Sequence, residues 1–65
     1  MDVIKIEQDG KKYSAEYMLC VNVVTVFGDS GQESTQLGSM SIENVARMLL
    51  RNLIRKGCIN PGAME

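Results

Sequence analysis

Apolar and polar residues alternate through the first half of this chain, and in the second half the apolar ones recur three and four positions apart. Alternation sends successive side chains to opposite faces of a strand, whereas three-four spacing draws one stripe down a helix. Val3 to Glu7 alternates weakly and runs into Asp9-Gly10, a pair that tolerates the positive φ of a two-residue hairpin turn. Lys12 to Phe27 continues as strand, but sixteen residues exceed the usual length of roughly 3–10. A break is expected at Val21-Asn22, since Asn accepts the left-handed region; a single long strand bent by a bulge is the alternative. Val23 to Phe27 is β-branched and aromatic, as strands prefer, and Gly28-Asp29-Ser30-Gly31 is a further turn cluster. Glu33 to Gly38 makes a short polar fourth strand.

Turns at Asp9-Gly10, Val21-Asn22 and Asp29-Ser30 fix a register that can be checked for consistency. Ile6 then opposes Tyr13, Ile4 opposes Ala15, Leu19 opposes Val24, Tyr17 opposes Val26, and Thr35 opposes Val24. Ile4, Ile6, Tyr13, Ala15, Tyr17, Leu19, Val24, Val26, Thr35 and Leu37 all fall on one face under that register. Slipping any turn by one residue would send part of the set to the other side. The expectation is a four-stranded antiparallel meander.

Ser41 is a suitable N-cap, Glu43 sits in the first turn, and Arg55 and Lys56 sit in the last, where cations complement the helix dipole. Gly57 supplies a stop, and Pro61 forbids continuation. Ile42, Val45, Ala46, Leu49, Leu50 and Leu53 form the apolar stripe. The fold expected is α+β, β-β-β-β-α, with one C-terminal amphipathic helix packed on one face of the sheet. Strands run over 2–8, 11–19, 23–28 and 33–38 and the helix over 41–56, within a single domain of residues 1–57. Residues 58–65 are expected to form a flexible tail.

Composition narrows what such a domain can do. Sixty-five residues make one domain, and a chain this short buries only about 60% of its unfolded surface. An added stabiliser is therefore expected. Two cysteines, Cys20 and Cys58, and no histidine cannot close a four-ligand zinc site. The start, Met-Asp-Val-Ile-Lys-Ile-Glu, scatters charges among apolar residues, unlike a signal peptide. A cytoplasmic location with free thiols is the expectation. Self-association is left as the leading stabiliser. A net charge of −1 argues against a general polyanion binder, and no apolar run approaches the ~20 residues of a membrane span. The layout resembles that of many short bacterial or mobile-element proteins.

No catalytic constellation emerges, so the protein is expected not to be an enzyme and to need no cofactor or metal. Histidine, the usual general base, is absent. Gly28-Asp29-Ser30-Gly31 could suggest a phosphate cradle, but a hairpin turn accounts for it. Cys20 falls mid-sheet without a base, and Cys58 follows the helix C-terminus, a dipole end that does not favour an anionic nucleophile.

Three surfaces remain. The face away from the helix carries Val3, Met18, Cys20, Val23, Thr25 and Phe27, a compact patch suited to an interface, with Lys5, Glu7, Lys12, Ser14 and Glu16 beside it. A homodimer through this face is expected first, and another protein partner second; the competing expectation is that Phe27 and Val23 are scattered surface apolars, or that Ile59, Ala63 and Met64 of the tail cover them. Arg47, Arg51 and Arg55 repeat every four residues on the outer side of the helix, where they could meet nucleic-acid phosphates or acidic partners. An ordinary solvated face with a Glu43–Arg47 pair is favoured over that use. The fourth strand is expected at a sheet edge, where it could accept a peptide or a second subunit's strand.

Overall fold

Three two-residue turns set the whole sheet in the computed structural model, which describes residues 2–61. β1 (Asp2–Gln8), β2 (Lys11–Cys20), β3 (Val23–Phe27) and β4 (Gln32–Gln36) form an antiparallel sheet in chain order, followed by α1 (Ile42–Lys56). Asp9 and Gly10 have φ of 56° and 76°, and Val21 and Asn22 have φ of 48° and 65°. Positive φ at both central residues gives a turn the same twist as the strands it joins. The register is the expected one throughout: Ile4 pairs with Ala15, Ile6 with Tyr13, Tyr17 with Val26, Leu19 with Val24, and Val24 with Thr35. β2 and β3 are separate strands, so the single bent strand is excluded.

The α+β architecture places α1 over one sheet face. Ile4, Ala15, Val24 and Val26 from the sheet and Val45, Ala46, Leu49, Leu50 and Leu53 from the helix make the core, joined by Ile59. Leu50 and Leu53 are fully buried, and burying each of these side chains stabilises by about 1.5–3 kcal/mol. Ile42, at the start of the stripe, is only half-buried.

Sharing the helix-side face does not ensure burial. Leu19 and Thr35 flank Val24 in one cross-strand row, and Val24 is fully buried while Leu19 is 44% exposed and Thr35 is exposed. A helix about 10 Å wide spans roughly two strands spaced about 4.8 Å apart, so the two ends of this three-residue row stay open.

Both helix ends are capped by sequence-local devices. Ser41 is extended, and its hydroxyl accepts the Asn44 N–H at 3.2 Å. Gly57 is left-handed (φ 74°), with its N–H on the Ile54 carbonyl and the Cys58 N–H on that of Leu53 at 2.9 Å. These paired bonds make a Schellman cap, which only a residue tolerant of positive φ closes cheaply.

β2 ends one residue later than expected, at Cys20, and β3 one earlier, at Phe27; two segments differ more. The fourth strand starts earlier and ends at Gln36, because Leu37 makes a last bond to the Asn22 carbonyl and Gly38 (φ 62°) then turns the chain. The segment after the helix is not loose from Cys58 onward. Ile59 is 6% exposed and belongs to the core. The Cys58 carbonyl accepts the Ser30 N–H at 3.0 Å, and the Asn60 N–H donates to the Asp29 carboxylate at 3.0 Å. The β3–β4 turn thus clasps the chain leaving the helix. Both turn glycines serve this close approach: a Cβ on Gly28 would lie 2.8 Å from the Cys58 carbonyl oxygen, and one on Gly31 3.1 Å from the Cys58 sulfur.

Candidate interaction surfaces

The sheet face turned away from α1 holds all six residues expected at an interface. Cross-strand pairing sets Val3 beside Glu16 and Glu16 beside Phe27, Met18 beside Thr25, and Cys20 beside Val23. Strand alternation produces this grouping: Met18 and Cys20 on β2, and Val23, Thr25 and Phe27 on β3, lie two or four positions apart, and Val3 joins them across Glu16. Val3 is 52% and Met18 39% exposed, Cys20 is exposed, and Val23, Thr25 and Phe27 are half-buried between neighbours in the sheet. Around them Lys5, Glu7, Lys12 and Glu16 supply two charges of each sign. Phe27 lines an open depression of about 310 Å³ with Val3, Glu16 and Asp29 among its walls.

The tail does not cover this face with Ile59, which packs into the core on the other side. Ala63 and Met64, the other two tail residues expected there, lie outside the described residues.

Arg47, Arg51 and Arg55 do share one side of α1. Arg51 and Arg55 are exposed and Arg47 half-buried. Their nearest partners are neutral: Arg47 reaches the Asn44 side-chain oxygen at 3.5 Å, and Arg55 donates to that of Asn52. The expected Glu43–Arg47 pair is not formed. Among the described residues the ion pair is Lys56–Glu33, which ties the last turn of the helix to β4. Along α1 itself, Glu43 stands against Arg47, Arg51, Arg55 and Lys56, so the helix is cationic within an acidic chain.

Three further exposed apolar residues were not expected from the sequence. Leu19, Val21 (89% exposed) and Met40 are all exposed, and the Leu37 N–H to Asn22 carbonyl bond puts the β4–α1 link beside the β2–β3 turn. Val21 is also a β-branched residue at φ 48°, a conformation such side chains rarely adopt. The signal was available: placing a two-residue turn at Val21-Asn22 already requires positive φ at Val21.

Both cysteines are free, Cys20 exposed and Cys58 half-buried. Among the described residues no group of three or more Cys, Asp or Glu is placed to hold a metal ion, and no helix is long and apolar enough to cross a membrane. Comparison with protein-family models, characterised proteins and solved structures finds no match.

Proposed function

We propose that the protein is a small non-enzymatic interaction module that pairs with a second copy of itself through the open sheet face. One observation carries this reading: Val3, Met18, Cys20, Val23, Thr25 and Phe27 form a grouped, incompletely buried patch on a sheet whose other face packs against a helix. The surrounding charges suit a copy of the same face. Lys5 and Lys12 against Glu7 and Glu16 let a two-fold operation match opposite signs, and a two-fold pairing needs only one such patch per chain. The free thiols suit a reducing compartment, so we place the protein in the cytoplasm. Replacing Phe27 by Asp tests the pairing: the variant is expected to halve the assembly's mass in sedimentation equilibrium while keeping its far-UV circular dichroism. Equal masses for the two proteins would reject it.

The cationic side of α1 supports a second reading, nucleic-acid contact through Arg47, Arg51 and Arg55. Three phosphate contacts would give a log–log salt slope of about −2.7 on duplex DNA. If the triple Arg→Ala variant binds DNA as the parent does, this second reading fails.

A further inference from the structure

The two edges of the sheet are protected very differently. In β1 the turn pairing of Gln8 with Lys11 leaves the outward backbone groups at Val3, Lys5 and Glu7, two of which carry charges. In β4 the bonds from Gly28 N–H to the Gly31 carbonyl and from Leu37 N–H to the Asn22 carbonyl bracket the ladder with β3. Hydrogen-bonded pairs alternate along an antiparallel ladder, so residues 33 and 35 bond to β3 and the N–H and C=O groups of Gln32, Ser34 and Gln36 point outward. None of those three is charged, all are exposed, and β4 holds no proline and no lysine. Its single charge, Glu33, sits on the helix-side face and is tied to Lys56. Proline and lysine are two devices with which proteins blunt a free edge, and β4 has neither.

We propose that β4 pairs antiparallel with β4 of a second copy, about a two-fold axis at Ser34. The register follows from charge and bonding together. Centring on Ser34 sets Gln32 opposite the copy's Gln36 and gives every outward N–H and C=O of the strand a partner. It also places Glu33 opposite the copy's Thr35, whereas centring on Glu33 would oppose two like charges. The axis of such a pair is perpendicular to the sheet, so both open faces lie on the same side and form one continuous surface. That doubled patch is what the face pairing proposed above would bury, and the two axes are mutually perpendicular, as in a four-chain assembly of dihedral symmetry. The edge pairing does not itself depend on the face pairing.

Amide hydrogen exchange with sedimentation equilibrium separates the two. The wild-type chain is expected at four times its 7.2 kDa mass, with the Ser34 and Gln36 amides protected. Ser34→Pro removes only an outward N–H and is tolerated at an edge; it is expected to halve the mass, and Ser34→Lys, which sets a cation against its own copy, to do the same. Phe27→Asp is also expected to halve the mass, but with Ser34 and Gln36 still protected. Free exchange of those two amides in the wild-type assembly overturns the edge pairing, whatever the mass. Unchanged mass in Phe27→Asp overturns the face pairing and leaves the edge untouched.

Discussion

Both faces of this sheet carry apolar side chains, and the two sets meet different fates. On one, Ile4, Ala15, Val24 and Val26 vanish beneath five buried helix residues and Ile59. On the other, Val23 and Phe27 are half-buried and Val3, Met18 and Cys20 are exposed, with nothing from the described chain above them. The difference is one of supply. Among the described residues there is one helix, and it covers one face. In a longer domain a second helix would cover the other; the pairing proposed above would take its place here.

The contrast can be broken from the covered side first, where the largest effect is expected. Leu50→Ala empties a fully buried site and should lower stability by about 2–5 kcal/mol in urea denaturation at fixed protein concentration. A loss below 1 kcal/mol on that same scale would mean that the helix–sheet core is not what holds the chain together.

Gly28→Ala comes next. Its new Cβ would meet the Cys58 carbonyl oxygen at 2.8 Å, backbone that cannot swing aside, and overpacking of this kind costs about 1–3 kcal/mol. The clasp, and with it Ile59, should loosen. Exchange of the Ser30 amide, which bonds the Cys58 carbonyl, reports on it directly.

The smallest effect has the opposite sign. Val21→Asn relieves a β-branched residue at φ 48° and should stabilise by about 1 kcal/mol. Because Val21 belongs to neither proposed pairing surface, the assembly's mass should not change. A change in mass would assign the exposed Leu19–Val21–Met40 end a part in assembly that the two-face comparison omits.

Much of this was legible before the structure. The three turns, the register and the identity of the residues on each face follow from where Asp9-Gly10, Val21-Asn22 and Asp29-Ser30 fall, because side-chain direction repeats every two residues and errors would propagate. The helix ends were equally plain, since Ser41 and Gly57 act through local bonds. Less legible was how far the helix reaches. Leu19 and Thr35 have the right parity but stand beyond its width, and parity carries no information about width. The docking of Cys58–Asn60 was missed because its partners, Asp29 and Ser30, lie far off in sequence. In the sequence Gly28 and Gly31 read as turn formers, while the contacts they permit are to Cys58. The six interface candidates group together because strand parity puts them on one face; whether a second molecule covers them is not encoded directly in one chain's pattern.

The central claim is that a second copy covers the open face, and sedimentation equilibrium of the wild-type chain beside Phe27→Asp tests it most directly. The account predicts that the substitution halves the mass of the wild-type assembly while the circular dichroism of sheet and helix is retained. A wild-type chain that sediments as 7.2 kDa at high micromolar concentration, or a variant with the same mass as the wild type, would contradict it.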